Sequence, residues 1–267
     1  MKLFNCLYFF FCTSFCFLNA QEASSYSAKT YTTLEIEGTS APSIDGSLDD
    51  LIWASVEWGS DFIEVDPDEN TEPSVQTKFK IIYDQKYLYV ALKALDLEPE
   101  TITNRLSRRD GFVGDRINVL IDSYHDLRTG FLFTVTAAGV RGDEFVTDNG
   151  DNVDESWNPI WSTKALIDDE GWSAEMKIPL SQLRFSSDQN QIWGLNVTRQ
   201  YFKNNEFSAW NRIPVGAAGW VSEAGELKGL TSINSQKQIE IQPFVVTKLD
   251  RYEAEPGNPY PRRRRCA

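Results

Sequence analysis

The feature that most constrains the fold is a strict two-residue rhythm in Trp172-Ser-Ala-Glu-Met-Lys-Ile178. Trp172, Ala174, Met176 and Ile178 alternate with Ser173, Glu175 and Lys177. Successive side chains of an extended strand point to opposite faces, so this pattern predicts a half-buried β-strand. Similar runs predict strands at 78–83, 87–94, 116–122, 131–136, 163–167, 193–201 and 208–210. Turn-forming segments such as Asp84-Gln85-Lys86, Arg128-Thr129-Gly130 and Lys203-Asn204-Asn205 separate them. Only two helical pieces are expected. One spans Ser47 to Val56, with Ser47 as N-cap and Leu48, Leu51 and Ile52 on one face; the other runs from Pro179 to Leu183. Many short strands with little helix make an all-β chain, an antiparallel β-sandwich of jelly-roll type. No period of about twenty to fifty residues recurs, which excludes a propeller or solenoid.

The chain divides into three parts. Residues 1–20 have the layout of a signal peptide: Met1-Lys2, an apolar run from Leu3 to Leu18, then Asn19-Ala20, with cleavage expected after Ala20. An exported protein follows from this, whether periplasmic, outer-membrane-associated or extracellular. Cys6, Cys12 and Cys16 leave with that segment, so Cys266 has no internal disulfide partner. Cys12 and Cys16 each follow Phe, which argues against a lipid anchor. Residues 21–233 form the expected domain. Residues 234–267 change character, with a predicted strand at 239–246 and the run Arg262-Arg263-Arg264-Arg265.

Charge and motif content narrow the chemistry. With 39 acids against 26 bases and a net charge of −13, the chain lacks the basic face that nucleic-acid binding requires. His125 is the single histidine, which removes His-based zinc sites and a Ser-His-Asp triad. Nucleotide-binding glycine loops and a nucleophile elbow are absent. A pair of carboxylates for glycoside hydrolysis stays open, with Glu144, Glu155 and Glu175 as arithmetic candidates. Glu175 falls on the polar side of its strand, where solvation is expected. The loop from Asp148 to Glu155 is the densest oxygen-ligand run, and Asp148, Asp151 and Asp154 are candidate calcium ligands with Asn149, Asn152 or Glu155. The run Asp66 to Asn70 is a weaker second candidate.

Eight tryptophans bear on the remaining possibility. A sugar ring packs its C–H face on an aromatic ring while planar polar groups take its hydroxyls. Alternation predicts Trp53, Trp161, Trp172 and Trp193 to be buried, and the Gly- and Ala-rich loop from Pro214 to Gly225 makes Trp220 the expected exposed ring. Asn196, Thr198 and Gln200 form an uncharged polar face on their strand.

Five segments then occur in a recognisable order and spacing: Pro42 to Trp53, Lys78 to Val90, Gly114 to Asp122, Gly171 to Pro179, and Trp193 to Val197. In this the chain resembles family 9 carbohydrate-binding modules over about residues 34–233. It is more similar still to the version found at the N-terminus of large exported proteins that end in a membrane β-barrel, on the strength of Asp126-Leu-Arg-Thr-Gly130, Thr136 to Gly139 and Leu183-Arg-Phe185. The resemblance implies a β-sandwich that binds a poly- or oligosaccharide between two aromatic rings, often with structural calcium. By position the rings are Phe112 and Trp220. Asn118 stands where the family has an acid, and Thr134 and Thr136 stand where it has Arg and Asn. Gln242-Pro-Phe-Val-Val246 looks like the start of the barrel region, which the chain does not continue.

Three readings follow. The first is a secreted carbohydrate-binding module with exposed rings at Phe112 and Trp220. The second is a docking domain of an outer-membrane protein, with those rings buried or far apart. The third is a domain tied to glycosyl hydrolase activity in carbohydrate catabolism, with two close carboxylates in a cleft.

Overall fold

The computed structural model describes residues 27–234 and 245–247. The predicted signal peptide lies outside the described residues, as does the predicted tail strand except Val245 and Val246, which are exposed and in no strand. Fourteen strands are described: β1 (Thr30–Thr32), β2 (Leu34–Glu35), β3 (Ile63–Asp66), β4 (Thr77–Tyr83), β5 (Tyr87–Leu95), β6 (Arg116–Asp122), β7 (Gly130–Thr136), β8 (Arg141–Thr147), β9 (Asn152–Asp154), β10 (Ser162–Asp168), β11 (Gly171–Pro179), β12 (Asn190–Tyr201), β13 (Glu206–Ala209) and β14 (Gly225–Thr231). They form two sheets. The nine-stranded sheet runs β1-β14-β12-β6-β7-β8-β9, with β13 and β3 attached beyond β12, and the five-stranded sheet runs β10-β11-β5-β4-β2. Nearly all pairings are antiparallel; β1 with β14 and β2 with β4 are parallel.

The inward faces of the two sheets meet in one apolar core. Phe79, Ile81, Val90 and Leu92 from one sheet, with Trp172, Ala174, Met176 and Ile178, face Ile117, Val119, Phe133, Val135, Trp193, Leu195 and Val197 from the other. This is the alternation read from sequence, and Trp53, Trp161, Trp172 and Trp193 are all buried as expected. Most predicted strands extend by one to three residues in the structure.

Four expectations need correction. The segment after Ser47 is not a helix capped by that residue. Asp45 accepts the Ser47 N–H at 2.8 Å, and a short 3-10 turn begins only at Leu51 and ends at Ser55. The second helical piece is likewise a single 3-10 turn, Leu180–Gln182. The strands β3, β8 and β14 carry acids or glycines that hid their rhythm.

Glu175 is the fourth and most informative correction, because it is fully buried. Residues 36–56 fold over the outer face of the five-stranded sheet, where Ile36, Trp53, Ile82, Tyr89 and Ala91 make a second apolar cluster. The polar side of β11 is therefore interior. Trp53 Nε1 donates to Glu175 at 3.0 Å, and the Asp45 and Gly46 N–H groups donate at 3.0 and 3.1 Å. A buried carboxylate is stable only with such donors.

A buried ion pair ties the sheets together at one end. Arg199 on β12 is fully buried and donates to Asp115 through Nε at 3.2 Å and Nη2 at 2.6 Å. Trp172 Nε1 on β11 donates to the same carboxylate at 3.1 Å, and Arg199 Nη1 reaches the Leu95 carbonyl on β5 at 2.9 Å. One guanidinium thus contacts both layers, in the two-pronged geometry that suits arginine.

Removing one partner strands a charge in the core. Asp115→Leu should lower the free energy of urea unfolding by about 3–5 kcal/mol, and Asp115→Leu/Arg199→Met should lose less than Asp115→Leu alone. A double variant no more stable than the single would show that the pair is not the unit. A second prediction concerns pH. Burial pushes the Glu175 carboxyl above its ordinary value, against the hydrogen bonds from Trp53 and the two backbone N–H groups. As pH rises from the ordinary glutamic value to the raised one, the unfolded chain ionises while the folded chain holds its proton, so the wild type loses stability across that window. The stability difference between wild type and Glu175→Gln should therefore shrink as pH rises through it, measured by urea melts; a constant difference would exclude the titration.

Candidate functional site

The outer face of the nine-stranded sheet is polar where its inner face is apolar. Register places Asn118 of β6 opposite Thr134 of β7 and Thr198 of β12, Arg116 opposite Thr136 and Gln200, and Leu120 opposite Leu132 and Asn196. On β8, Gly142 lies opposite Thr134 and Glu144 opposite Leu132. These side chains share one face because pairing in register keeps alternate residues on the same side.

Three of them form a hydrogen-bonded ladder across neighbouring strands. Thr134 Oγ1 donates to Asn118 Oδ1 at 2.9 Å, and Asn118 Nδ2 donates to Thr198 Oγ1 at 3.0 Å. An amide between two hydroxyls leaves each group part of its capacity, since a hydroxyl both gives and accepts. Thr136 differs: its hydroxyl accepts the Val140 N–H at 3.1 Å and closes a tight turn. Asn196 is buried and exchanges two hydrogen bonds with the Asn211 backbone, at 3.0 and 2.9 Å. Gln200 donates to the Glu206 carbonyl at 3.2 Å. Of the predicted polar floor, Asn118 and Thr198 present hydrogen-bonding groups, whereas Thr134 is buried and spends its proton on Asn118, and Thr136 and Asn196 hold the scaffold.

Phe112 and Trp220 are both half-buried. Each ring is seated on a glycine: a Cβ at Gly142 would collide with the Phe112 ring, and one at Gly150 with the Trp220 indole. An isolated glycine in a strand marks such a close approach, and at Gly142 this was the signal in the sequence that would have located the Phe112 seat; Gly150 lies in a 3-10 turn. The Arg116 guanidinium stands 5.5 Å from the centre of the Phe112 ring. Trp220 is fixed by its own backbone, because its N–H donates to the Asn149 carbonyl at 3.0 Å while Asn149 Oδ1 accepts the Ser222 N–H at 2.8 Å. The two seats fall near opposite ends of β8. The six residues of extended backbone from Gly142 to Thr147 make five steps and span about 17 Å.

Glu144 stands on this floor. Burial raises its carboxyl above the ordinary range, Glu155 and Asp110 add to the effect, and Arg116 opposes it. Glu175 lies on the other sheet and is sealed under residues 36–56, so it forms no pair with Glu144 or Glu155. His125, which the sequence leads one to place facing solvent in a turn, is half-buried.

In the acidic loop the candidate calcium ligands meet protein partners or solvent. Asp148 faces Arg128 at 3.7 Å, and Asp154 is exposed and accepts both Ser156 hydrogen bonds, at 2.9 and 2.5 Å. Asp151 is exposed, and Asn149 is spent on the Trp220 loop. In the Asp66 to Asn70 run, Glu69 pairs with Arg212 at 3.1 Å. Among the described residues no three His, Cys, Asp or Glu side chains are placed to hold a metal ion. Trp220 is also not the most exposed indole: Trp58 is, at 37%.

Comparisons with known proteins accord with this architecture. A family model described as carbohydrate family 9 binding domain-like matches residues 44–215. A family 9 carbohydrate-binding module of Caldicellulosiruptor kristjanssonii, solved with cellotriose, is similar with a TM-score of 0.56 at 20% identity, covering 80% of this chain and 100% of that one. The glucose complex of a family 9 module from the same organism gives a TM-score of 0.55 at 20% identity over the same shares of both chains. A Bacteroides uniformis protein provisionally classed as carbohydrate-binding gives 0.59 at 15% identity, covering 76% of this chain and 99% of that one. No curated protein matches the chain. The match spans well over half of the sequence, and the chain belongs to the carbohydrate family 9 binding domain-like family.

Proposed function

We propose that this domain binds a poly- or oligosaccharide on the outer face of the nine-stranded sheet, with Phe112 and Trp220 as apolar platforms and Asn118 and Thr198 as the polar floor, Asn118 being held in place by the buried Thr134. The observation that carries the reading is the ladder at 2.9 and 3.0 Å beside two rings held in place by glycine seats. A rigid ring and a pre-aligned amide lose little freedom when a sugar arrives, so weak individual contacts yield net affinity. The family 9 modules solved with cellotriose and glucose support the same class of ligand. Replacing the family's acid and arginine by Asn118 and Thr134 removes charge from the floor, which suits an uncharged glycan. Export, guided by residues 1–20, and attachment to a barrel region in longer relatives complete the proposal.

A second reading, a docking domain that has given up sugar, is favoured by the Arg116 guanidinium lying over Phe112, because it takes one ring face while the edge of the same ring is packed on Gly142. A glycan array with the mature chain separates the two. Sugar binding is expected, with Trp220→Ala and Asn118→Ala each weakening it about tenfold, the equivalent of about 1.4 kcal/mol. Binding to no glycan, or binding indifferent to both variants, would leave the docking reading.

A further inference from the structure

The geometry points to a second saccharide-binding cleft, on the outer face of the five-stranded sheet and built on Trp58. This rests on the reading above that the domain binds sugars, and it uses residues that play no part in the first face.

Residues 36–56 cover only part of the outer face of the five-stranded sheet. Beside them lies a cleft of about 450 Å³ whose lining includes Trp58, Leu48, Leu166, Lys78, Lys93 and Ser173. Trp58 also walls a neighbouring cleft of about 680 Å³. An exposed indole is ordinarily a loose side chain, but this one is held. The Lys80 ammonium takes one face of the ring, 4.7 Å from its centre, and is itself fixed at 2.5 Å on the Trp53 carbonyl, so a sugar would use the opposite face. The next residue, Gly59, is clamped to β4 by two backbone hydrogen bonds with Phe79, at 2.8 and 3.0 Å. A large apolar ring presented to solvent in a fixed pose has already met the ordering cost of binding. The C–H face of a pyranose is a matching partner for such a ring.

The rim supplies polar groups of the required kind. Lys78 and Lys93 are directly opposite on β4 and β5. Lys93 is occupied by Asp168 at 2.6 Å and Glu170 at 3.2 Å, while Lys78 has no ion-pair partner among the described residues. The lining thus offers one unclaimed ammonium beside a paired lysine and two carboxylates. Sugar hydroxyls both donate and accept, and such a mixed rim suits an uncharged pyranose better than an anion.

Isothermal titration of the mature chain with cellotriose tests the proposal. The expected result is two sites per chain, with Trp58→Ala removing one and Trp220→Ala the other. Lys78→Gln, a surface change that leaves the core intact, should weaken the Trp58 site several-fold. A single site, sensitive to Trp220→Ala and indifferent to both Trp58→Ala and Lys78→Gln, overturns the second cleft and leaves the first. A single site sensitive to Trp58→Ala and indifferent to Trp220→Ala keeps the second cleft and overturns the first. No binding of cellotriose overturns the second cleft as stated.

Discussion

The pairing of Arg199 with Asp115 is the interaction on which the rest of the structure turns. A guanidinium with no exposed surface is tolerated only because every direction it faces offers an acceptor: the carboxylate of Asp115 and the carbonyl of Leu95. Asp115 begins the run into β6, and Gly114 before it holds φ +85°, a left-handed conformation that a Cβ would strain. Phe112 lies two residues upstream of that glycine. The charge pair that joins the layers therefore also fixes where the Phe112 ring emerges.

The two sheets treat their outer faces differently. The five-stranded sheet loses most of its outer face to residues 36–56, with Glu175 as the polar pin beneath them. On the nine-stranded sheet the outer face is partly covered: Leu120, Thr134, Thr136 and Asn196 are buried, while Asn118, Glu144, Thr198 and Gln200 are half-buried.

Sequence reasoning reached the fold through alternation, because a two-residue period survives wherever one sheet face meets the core. It failed at β8, where Asp143 points inward and is neutralised by Arg109 and by Trp161 Nε1 at 3.0 Å. It failed at Glu175 for a related reason, since the partners that permit burial lie 122 to 130 residues away in the chain. Local pattern carries no information about donors brought in from such a distance. The site was half legible. Family position gave Phe112, Trp220, Asn118 and Thr134, but only the register reveals that Thr198 extends the ladder and that Thr136 serves a turn. Trp58 escaped notice because exposure follows from what fails to cover a residue.

The parallel seam between β1 and β14 has a consequence for how the molecule is made. Thr30 pairs with Glu226, and Thr33, just beyond β1, bonds both Lys228 at 2.8 Å and Ile81 at 2.8 Å, so one short stretch stitches the last strand of one layer to the middle of the other. A ribosome must deliver nearly two hundred residues before that stitch has anything to close on. Contacts so distant in the chain come late and slowly, and until then the β12 edge that β14 will cover stands bare, a surface that a chaperone would recognise.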